Sequence, residues 1–187
     1  MQTATLSGGF DAPPQQSALA FRQIMEAMAR PGQIRDVFGA IPPAPLSVAA
    51  ATVILTLCDT ETPLYLAGSH DTPDVRQWIS FHCGAPFCGP SVCTFAIGTW
   101  EALAPLGAYP VGTPEYPDRS ATLIVETDTL TRTGATLTGP GIREQITLSL
   151  PDRTAFQANA TQFPLGLDFI LTSGTTLAAV PRSTKVR

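Results

Sequence analysis

Short apolar runs set between glycine and proline are what most narrows the folds open to this chain. The pattern is densest in the last quarter, in Thr138-Gly139-Pro140-Gly141-Ile142, in Phe163 to Thr172 and in Ala179 to Val186. Runs of this length make strands and short helices. The uncharged stretch Gly39 to Cys58 follows the same rule. Pro42, Pro43 and Pro45 interrupt its front and leave thirteen residues from Leu46. A membrane span needs about twenty, so this stretch reads as a buried helix.

Residues 1–14 are expected to form a flexible N-terminal arm, loose unless something binds it, and residues 15–187 a single α/β domain. From Ser17 to Ala29, Phe21, Ile24, Met25 and Met28 have the spacing of one buried helical face. Arg22, Glu26 and Arg30 lie four apart on the other side, the setting for two ion pairs. Pro31-Gly32 stops that helix. Gln33 to Phe38 reads as a strand. Ser47 can cap a helix running to about Leu57, whose continuous apolar character predicts burial on several faces. Asp59 to Thr62 makes a turn, and Pro63 to Ala67 a short strand. Thr72-Pro73-Asp74 supplies a cap, a proline at N1 and an acid at N2 for a helix through Trp78 to about His82.

Cys93 to Ile97 is expected as a strand, Thr99 to Leu106 as a brief helix and Gly107 to Pro117 as a loop. Ala121 to Glu126, Ala135 to Thr138 and Gln145 to Leu150 are β-rich. Pro151-Asp152 opens a helix that ends before Phe163. Two closing strands, Leu167 to Thr172 and Thr175 to Val180, meet at Ser173-Gly174. Helices interspersed with strands predict one α/β domain with a mixed sheet.

A hydrophobic content of 44% against 14% charge marks a well-packed globular chain. A net charge of −4 without a basic run gives no attraction to nucleic acid or anionic membranes, so neither is expected as a partner. Met1 to Ser17 has no basic or apolar signal region, so the chain is expected in the cytoplasm with its four cysteines as free thiols.

Ten arginines accompany a single lysine, Lys185, two positions from the C-terminus. Pyridoxal-phosphate catalysis needs a buried lysine for its Schiff base, and a terminal tail is a poor place to bury one. No Gly-Lys pair supplies a P-loop, and no G-x-G-x-x-G follows a strand, so no cofactor is expected. Thr138-Gly139-Pro140-Gly141 reads as a tight turn, since proline removes one phosphate-binding N–H. Cys83, Cys88 and Cys93, with His82 adjacent, raise the question of zinc. Structural zinc sites use paired ligands two to four residues apart, and Pro86, Gly89 and Pro90 break this segment. No metal is expected.

Three side chains are candidates for chemistry. His82, at a helix end, has the residue type of a general acid or base, or of a cap for helix carbonyls. His70 sits in a polar turn and carries no comparable signal. Asp168, flanked by Leu167 and Phe169-Ile170-Leu171, needs a partner or an outlet to solvent. Arg182 is the available partner. A two-residue Ser173-Gly174 loop would pair Asp168 with Ala179 and put Arg182 on the opposite face. A three-residue loop, Thr172 to Gly174, would put both on one face, still roughly 13 Å apart at strand rise. Direct pairing requires a bend at Pro181. Asp59 with Glu61 reads as a solvated turn. Trp100 and the Tyr109 to Tyr116 loop read as interface anchors or as core.

Phe21 to Gly32, Thr52 to Asp59 with Glu61-Thr62-Pro63, Phe81-His82 with Ala85-Pro86, Ala121-Thr122-Leu123-Ile124 and the three closing phrases follow one another in a set order. That ordered set resembles the PhnH subunit family of bacterial carbon–phosphorus lyase, from about Phe10 to Val186. The resemblance implies a three-layer αβα sandwich with a mixed sheet, similar to a truncated pyridoxal-phosphate-dependent transferase fold lacking the cofactor lysine. It implies a homodimer and a supporting, non-catalytic subunit in phosphonate catabolism. With partner core subunits, which would bind most of the ATP and phosphonate, it would support transfer of the ribose triphosphate of ATP to an alkylphosphonate with release of adenine. The cysteines match no radical-SAM motif, so bond-breaking radical chemistry belongs to another subunit. The alternatives are an independent small-molecule enzyme with His82, Asp168 and Arg182 converging on one pocket, and a metalloprotein built around Cys83.

Overall fold

Prolines and capping side chains set where the helices begin. The computed structural model describes residues 7–187. Its first helix, α1 (Pro13–Ala29), starts on a proline pair rather than at Ser17. Proline lacks only an N–H that the first turn leaves unpaired anyway. Ser47, Thr72, Thr99 and Asp152 then each accept a bond from the N–H three residues on. They open α2 (Val48–Leu57), α3 (Pro73–His82), α4 (Trp100–Leu103) and α5 (Arg153–Ala160).

The buried face of α1 differs from the expected one. Ala20, Ile24 and Ala27 are buried, while Phe21 and Met25 each stay 50% exposed. Its neighbour α2 buries Ala49, Ala50 and Ala51 in the same core as Ile24 and Ala27. Apolar periodicity locates a stripe but does not tell a close-packed alanine flank from a bulky one. Arg22 is likewise not the partner of Glu26. That carboxylate pairs with Arg30 at 3.2 Å and with Arg35 at 3.4 Å.

Among the described residues nine strands form two sheets: β1 (Arg35–Asp36), β2 (Leu64–Leu66), β3 (Phe95–Thr99), β4 (Thr122–Glu126), β5 (Ala135–Thr138), β6 (Ile146–Leu148), β7 (Asp168–Ser173), β8 (Thr176–Val180) and β9 (Lys185–Val186). The larger sheet has the order β1-β8-β7-β4-β3-β2. Strands β2, β3, β4 and β7 run parallel, and β8 and β1 are added antiparallel. This is the mixed α/β sheet expected. The strand expected over Gln33 to Phe38 contracts to Arg35–Asp36. The β-rich runs around β5 and β6 do not join this sheet. They pair antiparallel with each other and with β9 as a separate three-stranded sheet.

Alternation along the strands divides the core between two faces. Ile97, Ile124, Ile170 and Ala179 pack under α1, α2 and α3 with Ile24, Val53 and Trp78. Ala96, Leu123, Phe169 and Val180 pack on the other side with Leu103 of α4, Phe156 of α5 and Leu137 and Leu148 of the small sheet. Trp100 belongs to this second layer, stacked on Phe156 at 5.3 Å. Tyr109 is buried, whereas Tyr116 is exposed beneath Arg119 at 4.0 Å.

The turn after β5 leads toward β6, and Gly141 is needed there. Its φ is 79°, and a Cβ at that position would lie 2.0 Å from the Ala29 carbonyl oxygen. Residues 1–6, the first part of the expected arm, lie outside the described residues. From Ser7 the chain is tied to the body. The Ser7 carbonyl accepts a bond from Trp78 Nε1 at 3.1 Å, and the Gly8 carbonyl accepts from Ile41 N–H at 2.8 Å. Among the described residues no helix is long and apolar enough to cross a membrane.

Candidate functional site

The structure brings Asp168 and Arg182 together. The closing hairpin turns through Gly174 and Thr175, with Ser173 opposite Thr176 and Phe169 opposite Val180. Gly174 has φ 57°, matching the preference for glycine at the first position of a II′ hairpin turn. This register is neither of the two expected from the sequence. It carries β8 two residues further toward Asp168 than the two-residue alternative and three further than the three-residue one, so Arg182 comes just past the strand pair and the separation of roughly 13 Å disappears.

Arg182 is almost fully engaged. Its backbone N–H donates to Asp168 Oδ1 at 2.9 Å, Nε donates to the same oxygen at 3.2 Å, and Nη2 donates to Oδ2 at 2.5 Å. Nη2 also bonds Ser120 Oγ, and Nη1 donates to the Pro117 carbonyl at 2.5 Å. The side chains of Arg182 and Asp168 are only 13% and 16% exposed. A guanidinium with nearly all its donors committed is a clamp. It ties the loop before β4 to the start of β7 and to the chain after β8.

His82 lies elsewhere. Its Nε2 is 3.3 Å from the Ser7 carbonyl oxygen, and its ring packs on Trp78 and Phe81, each with centroids at 4.9 Å. It shares no described contact with Asp168 or Arg182, and the pocket it lines with Phe10, Pro13 and Leu55 includes neither of them.

The cysteines are dispersed as well. Cys83 caps α3 with Sγ on the Ile79 carbonyl at 3.3 Å, and Cys93 Sγ bonds the Pro90 carbonyl at 3.2 Å. All four thiols are free. Burial raises each of their pKa values, that of Cys93 to about 12. Among the described residues no group of three His, Cys, Asp or Glu side chains could hold a metal. Lys185 is exposed in β9, so it does not fit a buried Schiff-base lysine. Asp59 accepts the Glu61 N–H at 2.8 Å in an exposed turn.

A second polar cluster was not legible beforehand. It lies at the opposite ends of the parallel strands, where open α/β sheets usually place function. Glu126 ends β4, facing Thr172 of β7. One of its oxygens accepts the Ser47 N–H at 2.7 Å, the other the Thr172 hydroxyl at 3.0 Å. Burial raises its pKa against the opposing pull of those bonds. His70, in the turn Gly68–His70 after β2, is buried with Nε2 4.0 Å from Glu126. Burial lowers its pKa. Glu126 is the last residue of one apolar strand and His70 lies four residues beyond another, the one signal in the sequence that marks them.

These clusters lie in a chain with close relatives. The family model described as bacterial phosphonate metabolism protein (PhnH) matches residues 8–187. The chain belongs to the PhnH family. It is 38% identical over 197 residues to the α-D-ribose 1-methylphosphonate 5-triphosphate synthase subunit PhnH of Rhizobium meliloti (strain 1021), covering 99% of this chain and 97% of that protein. It is 30% identical over 190 residues to HtxG of Stutzerimonas stutzeri, a provisional C-P lyase subunit, covering 95% and 88%. The family resemblance read from the ordered motifs is therefore correct. The PhnH motif residues fall on structural roles: Pro31-Gly32 follows the end of α1, Thr52 to Ile54 is buried in α2, and Thr122 to Ile124 lies in β4.

Proposed function

We propose that this chain is a supporting subunit of a carbon–phosphorus lyase core complex. With its partner subunits it serves transfer of the ribose triphosphate of ATP to an alkylphosphonate, releasing adenine. The carrying observation is the end-to-end match to a PhnH subunit of α-D-ribose 1-methylphosphonate 5-triphosphate synthase. The local chemistry supports a non-catalytic role, because the Asp168–Arg182 pair is bonded within the chain and His82 stands apart. Transferase chemistry, and most contacts to ATP and phosphonate, belong to the partners.

Homodimerisation fits the apolar surface beside α1. Leu19, Phe38 and Ile41 are exposed there, and a groove runs between Leu19, Val37 and Phe38. Helices on both faces of the larger sheet support an αβα layering related to a shortened pyridoxal-phosphate transferase fold. A cytoplasmic location suits four free thiols.

Co-expression with the other core subunits, followed by size-exclusion with mass determination and an adenine-release assay, tests this reading. A heteromer whose activity with ATP and phosphonate needs this chain supports it. A chain that stays alone, with activity indifferent to its omission, overturns it.

A further inference from the structure

His70 is 2% exposed, and neither of its ring nitrogens has a hydrogen-bond partner. Buried polar groups are normally bonded, because an orphan loses its water without replacement. Opposite Nε2 stands Glu126 Oε1 at 4.0 Å, about 1 Å beyond hydrogen-bond reach. Glu126 is fixed from its other sides by Ser47 N–H and the Thr172 hydroxyl. With the carboxylate ionised and the imidazole neutral, the site carries a buried net negative charge. One added proton removes that charge, and it supplies a donor and an acceptor that face each other.

We propose that His70 and Glu126 form a one-proton latch, in which uptake of a single proton closes the 4.0 Å gap into a hydrogen bond. The bond fastens the turn after β2 to the end of β4 and, through Ser47, to the start of α2. Burial pushes the Glu126 carboxyl up and the His70 imidazole down, which brings the two titrations toward each other, and the proton is shared between Oε1 and the free ring nitrogen.

No other charge is placed to take the proton. Asp71, next to the turn, is paired with Arg76 of α3. Asp74 of α3, Glu101 of α4 and Asp128 beyond β4 are exposed. Strands β2 and β3 and the helix α2 carry no charged side chain, and the acid of β7, Asp168, lies at its far end on Arg182.

The two residues push stability in opposite directions with pH. Glu126, raised on folding, contributes stability that is present below its unfolded value and lost as pH rises through its folded value. His70, lowered on folding, loses stability as pH falls below the ordinary histidine range. Replacing Glu126 therefore steepens the loss of stability toward acid.

A double-mutant cycle of His70→Leu and Glu126→Gln, by urea unfolding of the full chain at pH 7.5 and pH 5.5, tests the latch. The latch requires coupling of about tenfold in the unfolding constant at the lower pH and little at the higher. Equal coupling at both pH values, or none at the lower, overturns it. If a variant does not fold, nitrogen-15 NMR of the wild-type imidazoles decides, with His82→Gln to assign the two histidines. A His70 nitrogen that moves to a hydrogen-bonded position with a one-proton midpoint supports the latch. A His70 spectrum unchanged from pH 8 to 5, or one that titrates as an isolated histidine, rejects it.

Discussion

Replacing Arg182 by leucine should remove about 3 kcal/mol of stability. The wild-type guanidinium holds both oxygens of Asp168, the Ser120 hydroxyl and the Pro117 carbonyl. Breaking one side of a buried ion pair costs about 3–5 kcal/mol, because the remaining charge is left without its partner. Two features place this case at the lower end. The pair retains 13% and 16% exposure, and Asp168 keeps the Arg182 backbone N–H at 2.9 Å. With an m-value of about 2 kcal/mol/M, the urea midpoint should fall by about 1.5 M, read by circular dichroism at pH 7. Arg182→Lys should recover less than half, since an ammonium on a flexible stem cannot span these acceptors together. Asp168→Asn combined with Arg182→Leu should cost less than the sum of the single changes. A loss below about 0.5 kcal/mol for Arg182→Leu would refute the clamp and return the pair to the class of surface ion pairs.

Other outcomes follow from local geometry. Ser47→Ala removes the cap of α2 and should lower stability by about 1 kcal/mol in thermal or urea unfolding. Gly141→Ala combines a positive φ with a Cβ 2.0 Å from the Ala29 oxygen, so it should cost more than about 2 kcal/mol or prevent folding. With an aromatic disulfide reagent at pH 8, the native chain should react slowly at all four thiols, Cys58 and Cys93 slowest, and completely once unfolded. Fast labelling of Cys93 in the native state would contradict its burial.

The order of elements was legible because local chemistry sets it. Ser47, Thr72 and Asp152 begin helices from their own side chains, and short continuous apolar runs give β4, β7 and β8. The ordered Gly and Pro phrases carried the family for the same reason, since each marks a backbone turn that the fold requires. What remained hidden depended on partners distant in sequence. Whether Phe21 or Ala20 faces inward was decided by how α1 packs on the rest of the fold, which no period within α1 encodes. A shift of two residues in the β7–β8 register converted Asp168 and Arg182 from separated side chains into a clamp. Glu126 and His70 are 56 residues apart and meet because β2 and β4 flank β3 in one sheet. Sequence by itself determined the α/β class, the capped helices and the PhnH membership, because these rest on residues that act on their neighbours. Only the tertiary structure decided which charges are buried and which of them meet, because burial and pairing are properties of the packed sheet.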